Sequence, residues 1–290
     1  MKTTLVLTDF SENASHAAKT AVMMSSVFNS NLMLYHTRQI LPTATHYSDF
    51  AGGPWMLDDF AELDRENKEK MEELADDLRP LISKLDPHLH KPVVHCESGS
   101  GYLAQNITEV VEKNNVELIV MGASSDSTFD HFFNGSETLS IIENATCPIL
   151  VIPKNVELKK IKKVIFATDF DEADVKGLHY LVKFGKLLNF KIEIVHVCPF
   201  GEKEATVTAK EEYFFKHIDK LRYPDLHYKE IKGKDVVKRL NNLCEEDGAN
   251  ILSLVHYQHS FLVRFFGHST TKEALLNQNI PLLVFPSKME

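Results

Sequence analysis

The chain has 290 residues with a formal net charge of -9, and 43% of its residues are hydrophobic and 25% charged. This length predicts two domains, and the composition excludes a disordered or fibrous protein. The negative charge argues against a nucleic-acid partner, because the only dense basic cluster is the short one at Lys159–Lys160 and Lys162–Lys163.

Short apolar runs alternate with helical stretches along the first half of the chain. Strands are predicted at residues 5–7, 32–35, 93–96, 118–121 and 149–152. These runs are apolar on both faces and are separated by helices, which is typical of a parallel sheet covered on both sides. The sequence therefore predicts a doubly wound α/β fold.

The first helix is predicted to begin after Ser11, a favourable N-cap residue, although Ala14 rules out a capping box. Between the second and third strands, residues 41–70 form an excursion that contains Trp55. Trp55 is interpreted either as an exposed handle for a partner or as a residue packed onto its own domain. The stretch that follows, with Met71, Leu74 and Leu78 on one stripe, predicts an amphipathic helix.

The sequence contains an internal repeat. "LVLTDFSENA" at residues 5–14 returns as "VIFATDFDEA" at 164–173, and both Asp9/Asp169 and His36/His196 are 160 residues apart. Further along, Gly99 and Gly233 are 134 apart, which places a deletion of 26 residues in the second copy opposite the excursion. We place the boundary in the polar segment 154–163, which divides the chain into domains 1–155 and 156–290.

Candidate functional residues lie at the carboxyl ends of the predicted strands, where ligands bind in doubly wound sheets. Asp9 follows the first strand and could accept hydrogen bonds from a ribose hydroxyl or an adenine amino group; alternatively it only forms the turn. Gly122 ends the fourth strand. Gly135-Ser136 opens the next helix and could bind an anion there, or serve only as a cap.

Together these features resemble the universal stress protein family, in its tandem two-domain form, over essentially the whole chain. That family has a strand ending in Asp, a fourth strand followed by glycine, two residues, glycine, nine residues and Gly-Ser or Gly-Thr, and a "CPVLVV"-like last strand. This sequence has Gly122, two residues, Ser125, nine residues, Gly135-Ser136 and then "CPILVIP" from residue 147. Ser125 stands where the family has glycine.

The resemblance implies, in each half, a five-stranded parallel sheet in the order 3-2-1-4-5. It also implies pairing of the two halves through their last strands, as a pseudo-dimer within one chain, with a homodimer as a further assembly. It implies a non-catalytic protein whose first half alone binds an adenine nucleotide (AMP, ADP or ATP), without a metal. The implied binding residues are Thr8, Asp9, Phe10, His36, Met121, Gly122, Ser125, Gly135 and Ser136.

Two departures bear on the phosphate end of such a ligand. Ser125 carries a Cβ that makes a positive φ costly, and Asp126 would repel phosphate. A mono- or diphosphate is therefore favoured over a triphosphate. In the second copy, His256 and His268 are aligned with Gly122 and Gly135, and this half is predicted to bind no nucleotide.

Rival interpretations remain. The first strand is not followed by the Ser-Gly-Gly loop of related hydrolases, and no residue has a convincing catalytic role. Histidines 88, 90 and 95, or 256 and 259, could be metal ligands, but they show no fixed ligand spacing. The main alternative is a nucleotide-free interaction module that acts through the pseudo-dimer surface or the Trp55 excursion.

The cysteines and the N-terminal residues predict a reduced, cytoplasmic protein. Cys96, Cys147, Cys198 and Cys244 show no CxxC spacing, which favours free thiols over disulfides or zinc. The apolar run at residues 5–7 is too short for a signal sequence or a membrane span. We therefore expect no membrane partner.

Overall fold

The structure is a computed structural model that describes residues 2–38, 54–123, 135–154, 156–158, 160–198, 208–256, 280–286 and 288–289. For residues 54–61 and 135–136 the description is limited to the backbone. Ser125, Asp126 and most of the loop between Gly122 and Gly135 lie outside the described residues.

In the first half, strands and helices alternate as predicted. The strands are β1 (Thr3–Leu7), β2 (Asn31–Arg38), β3 (Val94–Ser100), β4 (Val116–Gly122) and β5 (Ile149–Ile152). The helices are α1 (Glu12–Phe28), α2 (Pro54–Ser83), α3 (Leu103–Lys113) and α4 (Gly135–Asn144). Ser11 is confirmed as the N-cap of α1, since its hydroxyl accepts a hydrogen bond from the Ala14 backbone N–H at 3.2 Å.

The second half repeats this order of elements. Its strands are β6 (Lys163–Ala167), β7 (Lys191–Cys198), β8 (Leu226–Lys232), β9 (Ile251–His256) and β10 (Leu282–Pro286). Its described helices are α5 (Glu172–Leu188), α6 (Ala209–Ile218) and α7 (Val236–Glu246), with a 3₁₀ turn at Asp219–Leu221.

The ten strands form one sheet in the order β3-β2-β1-β4-β5-β10-β9-β6-β7-β8. Each half therefore has the predicted order 3-2-1-4-5, with parallel neighbours. The two last strands meet in antiparallel register, with Val151 opposite Leu282 and Ile149 opposite Val284. The predicted α/β fold class, with two doubly wound halves in tandem, is confirmed.

Both faces of the sheet are covered by apolar side chains that come from the two halves together. One core cluster lies under α1, α2, α5 and α6, and the other under α3, α4 and α7. Across the junction, the rings of Phe28 in α1 and Phe184 in α5 lie 4.7 Å apart. The contact between the halves thus includes helices as well as the β5–β10 ladder.

Helix α2 accounts for most of the difference in length between the halves. It has 30 residues, against 10 in α6. The predicted amphipathic helix is confirmed, because Met71, Leu74 and Leu78 are buried in this element. The side chain of Trp55 is outside the described residues, so both interpretations of it stay predictions.

The strand registers correct two predicted correspondences between the halves. Gly101 N–H donates to the Arg38 carbonyl, and Gly233 N–H donates to the Cys198 carbonyl, both at 2.9 Å. Gly233 therefore corresponds to Gly101 and not to Gly99. Two glycines lie two residues apart in the first half, and the sequence alone could not decide between them.

The second correction concerns Gly122. Gly122 is opposite Ile152, and the matching pair in the second half is Val255 with Phe285. Val255 therefore corresponds to Gly122, and His256 corresponds to Ala123.

The difference between Gly122 and Val255 has a packing reason. A Cβ on Gly122 would lie 2.7 Å from the backbone carbonyl atoms of Asn13 in α1. In the second half the small residue is on the helix instead, because a Cβ on Gly177 would lie 2.5 Å from Val255 Cγ2. Each half thus uses one glycine to bring its first helix close to its fourth strand.

The Gly177–Val255 contact predicts that Gly177→Ala lowers the free energy of unfolding by about 1–3 kcal/mol through overpacking. Alanine's better helix propensity, about 1 kcal/mol, offsets part of this cost. Urea unfolding of the wild type, Gly177→Ala, Val255→Ala and the double variant measures the effect. In the double variant, removal of the Val255 methyl groups should restore part of the loss, whereas purely additive costs would contradict the contact.

Candidate functional site

The turn after β1 has an uncommon backbone conformation that occurs in both halves. Phe10 has φ +63° and Phe170 has φ +64°, the left-handed region that non-glycine residues seldom adopt. Phe10 N–H donates to Thr8 Oγ1 at 3.0 Å, and Phe170 N–H donates to Thr168 Oγ1 at 2.9 Å. The threonine at the strand end thus stabilises a strained turn.

Asp9 takes part in the same turn. Its Oδ1 accepts a hydrogen bond from the Ser11 backbone N–H at 3.0 Å. The turn-forming role considered for Asp9 is therefore present in the structure. The carboxylate has a second oxygen, so a ligand role for Asp9 is compatible with its role in the turn.

A histidine on the neighbouring strand contacts each turn. His36 is buried, its Nδ1 lies 2.9 Å from the Thr8 carbonyl oxygen, and its ring lies 4.5 Å from that of Phe10. Since a carbonyl only accepts, Nδ1 carries the proton. Burial lowers the pKa of His36, and the Thr8 carbonyl acts in the opposite direction. His196 has the same contact with Thr168, also at 2.9 Å.

The two turns differ in the groups that accept hydrogen bonds from their donors. In the second half, Asp174 Oδ2 accepts from Thr168 Oγ1 at 2.7 Å and from the Asp169 and Asp171 backbone N–H groups at 3.2 Å each. Asp174 is the third residue of α5, and the third residue of α1 is Ala14. The α1 helix therefore supplies no carboxylate to the donors of Thr8 and Asp9.

The aromatic cover also differs. Phe170 is 4% exposed, and its ring lies within 5.4–6.2 Å of the rings of Phe214, Phe215 and Tyr228. Phe10 is only partly buried, and Lys70 Nζ lies 5.8 Å from its ring centroid. The turn of the second half is sealed, whereas that of the first half borders a cleft.

The end of β4 is fixed to α1. Asn13 Nδ2 donates to the Ala123 carbonyl at 3.0 Å, next to the close approach of Gly122. Met121 is fully buried in the core, so its side chain supports the site from within the sheet. Gly135 and Ser136 begin α4, and only their backbone is described.

Glu137 belongs to the site region and was missed in the sequence. It lies in the first turn of α4 and is about half buried. Burial, and to a smaller extent the Asp9 carboxylate, raises the pKa of Glu137 to about 7. An acidic residue directly after Gly135-Ser136 was the signal that could have found it. Glu137 in α4 and Asp9 in the turn after β1 therefore bring two carboxyl groups to the site region.

The described residues also bear on the predictions about metals and membranes. Among residues 2–38, 54–123 and the later described segments, no cluster of three or more His, Cys, Asp or Glu could hold a metal ion. None of the helices in the described part of the chain is long and apolar enough to cross a membrane.

Comparisons with known proteins agree with this architecture. The model of the universal stress protein family matches residues 1–153. A universal stress protein of Methanocaldococcus jannaschii is 26% identical over 153 residues, which cover 53% of this chain and 82% of the relative.

Solved structures resemble the whole chain. A universal stress protein from Archaeoglobus fulgidus has a TM-score of 0.69 at 17% identity, covering 98% of this chain and 96% of that one. A protein of unknown function from Pseudomonas aeruginosa has a TM-score of 0.58 at 15% identity, covering 99% and 92%. At such low identity, these likenesses show the fold.

The sealed turn predicts a pH-dependent stability. Burial raises the pKa of Asp174 to about 7, although the donated hydrogen bonds oppose this shift. Between pH of about 4 and about 7 the unfolded chain has lost this proton while the native protein keeps it, so stability falls as the pH rises. Relative to Asp174→Asn, the wild type should lose up to about 1.4 kcal/mol per pH unit across this window.

Chemical denaturation of both proteins at several pH values between 4 and 8 measures how the free energy of unfolding changes with pH. Parallel profiles for the wild type and Asp174→Asn would show that Asp174 is ionised throughout and would contradict the prediction.

Proposed function

Because the chain belongs to the universal stress protein family, we propose that it is a non-catalytic stress-response protein whose first half binds an adenine nucleotide. The second half serves as its structural partner in an intramolecular pseudo-dimer. The domains are 1–155 and 156–290, with β5 and β10 at their junction.

The observation that carries this proposal is the difference between Ala14 and Asp174. In the second half, the carboxylate of Asp174 occupies the donors of Thr168, Asp169 and Asp171. In the first half, Ala14 stands at the position of Asp174, and we expect the Thr8 hydroxyl and the Asp9 backbone N–H to donate to an acceptor on a ligand instead. The oxygen atoms of a nucleotide supply such acceptors.

The remaining roles follow from position. The Asp9 carboxylate accepts from a ribose hydroxyl or the adenine amino group, while Phe10 and His36 hold the turn that presents it. Gly122 allows α1 to approach, and Met121 supports the sheet beneath. The loop residue Ser125 and the first residues of α4, Gly135 and Ser136, contact the ribose or the first phosphate.

The alternative is an interaction module that binds no nucleotide. It is supported by the turn of the second half, where Phe170 packs in an aromatic cluster and Asp174 accepts from the Thr168 hydroxyl. In this alternative the first half is also only a scaffold. Nucleotide titration separates the two functions, because the scaffold predicts no shift in melting temperature with AMP, ADP or ATP.

The proposal predicts that Ala14→Asp, which copies the second half into the first, weakens nucleotide binding at least tenfold, about 1.4 kcal/mol. The new carboxylate would accept from Thr8 and Asp9 as Asp174 does from their counterparts. Thermal-shift and calorimetric titrations with AMP, ADP and ATP measure the change. Ala14→Ser, which adds a hydroxyl without a carboxylate, is the matched control and should keep the affinity.

Asp174→Asn provides a second control, because it alters only the sealed half and should leave the nucleotide affinity unchanged. If the wild type carries no co-purified nucleotide and shows no shift at millimolar concentration, the interaction module is the better account.

A further inference from the structure

His256 is a buried titratable residue that the proposed function does not use. It is the last residue of β9 and is 3% exposed. Neither its Nδ1 nor its Nε2 has a hydrogen-bond partner in the described part of the chain. Buried polar groups in folded proteins nearly always have such a partner. The neutral ring is therefore held at this position by packing.

The surroundings of His256 enclose the end of β9. In the register of β9 and β10, His256 is opposite Pro286, and the preceding residue Val255 packs closely on Gly177 of α5. Strand β10 in turn forms the antiparallel ladder with β5 of the first half. The ring of His256 reaches solvent, therefore, when the carboxyl end of β9 separates from these neighbours.

The first half has no titratable side chain at this position. Its counterpart of His256 is Ala123, whose carbonyl accepts a hydrogen bond from Asn13 Nδ2 of α1 at 3.0 Å. Asn13 is the second residue of α1, and the second residue of α5 is Ala173, whose side chain has no donor. The first half thus fastens the end of its fourth strand with an amide that does not titrate, whereas the second half has an imidazole there.

Charged groups near β9 do not stabilise a protonated ring. Strands β10 and β6 and helices α5 and α7 pack against β9, and β10 carries no charged residue. The charged groups at this end of the other elements that are not exposed are Asp169, Asp171, Asp174 and Arg239. In the described residues, burial is the one cause that changes the pKa of His256, which it lowers to about 4. Since an uncompensated buried charge is costly, protonation favours conformations with the ring in water.

The direction of the pH effect follows from the difference between the folded and unfolded chains. Between pH of about 6.5 and about 4, the unfolded chain binds a proton at His256 and the native protein does not. Stability from the neutral ring is thus complete above this window and is lost as the pH falls through it. Asp174 changes stability in the opposite direction, so the two effects offset one another in the wild type.

We propose that His256 is an acid-sensitive switch of the second half. When its ring takes up a proton from solvent, the ring leaves the core and the carboxyl end of β9 opens together with β10, while the first half keeps its structure. This device does not depend on whether the first half binds a nucleotide.

The first test is urea unfolding of the full-length wild type and His256→Phe at several pH values between 4 and 8. Asp174 is present in both proteins, so its titration cancels in the ratio of their unfolding constants. From pH 7 to pH 5 the ratio of wild type to variant should rise about tenfold or more, and it should be constant above pH 7. His256→Gln, which keeps a polar side chain without a titrating ring, should give the same profile and serves if His256→Phe does not fold.

His95→Gln is the matched control, because it removes an exposed histidine of β3. Its ratio to the wild type should stay constant with pH. A constant ratio for both His256 variants as well would show that the ring does not titrate between the folded and unfolded chains and would overturn the inference.

Hydrogen exchange of the wild type and His256→Phe at pH 7 and pH 5, corrected for the intrinsic exchange rates, locates the opening. Relative to the variant, protection of the β9 and β10 amides in the wild type should fall about tenfold at pH 5, whereas β1 and β2 should stay within about twofold. Equal losses of protection in both halves would show general acid unfolding and would overturn the assignment of the switch to the second half.

Discussion

The hydrogen bond from a histidine Nδ1 to the carbonyl of a strand-end threonine is the constraint on which the site depends. It occurs in both halves at the same length of 2.9 Å, on His36 and on His196. It holds a turn whose phenylalanine has a positive φ, a conformation that costs on the order of 1 kcal/mol or more. The phenylalanine ring packs on the same histidine, so one side chain stabilises both the backbone and the ring. A carboxylate at the next position is thereby presented at a fixed place on the sheet edge.

Around this shared hydrogen bond, the two turns differ in a few side chains. Asp174 fills the second turn with a carboxylate that its own helix supplies, and α6 adds a layer of aromatic rings. The first half has Ala14 at the same helical position and a lysine over Phe10. Buried donors require acceptors, because an unmet backbone N–H costs about 1–3 kcal/mol. The second half meets this requirement with Asp174, whereas Ala14 supplies no such acceptor in the first half.

The strands, the N-cap at Ser11 and the repeat could be predicted from the sequence, because they depend on local periodicity and on motifs. The order of the sheet was implied by the family resemblance. It assigned Gly233 and His256 to the wrong partners, because a register shift of one or two residues becomes visible only when strands are paired. The sequence shows that Ala14 and Asp174 differ, yet the effect of this difference depends on which backbone groups lie near the start of each helix. Glu137 was missed for a similar reason, since its burial and its proximity to Asp9, which is more than a hundred residues away in sequence, appear only in the folded chain.

The antiparallel ladder between β5 and β10 has a consequence for evolution. Two copies of one chain that meet through their last strands must share every substitution, so a change that suits one partner is imposed on the other. Here the two partners are encoded separately and are always present in equal number. Each half was therefore free to acquire its own glycine, its own carboxylate and its own aromatic layer. The outer strands β3 and β8 likewise differ in sequence. The two edges of the sheet are therefore different, whereas they would be identical in a symmetric pair of identical subunits.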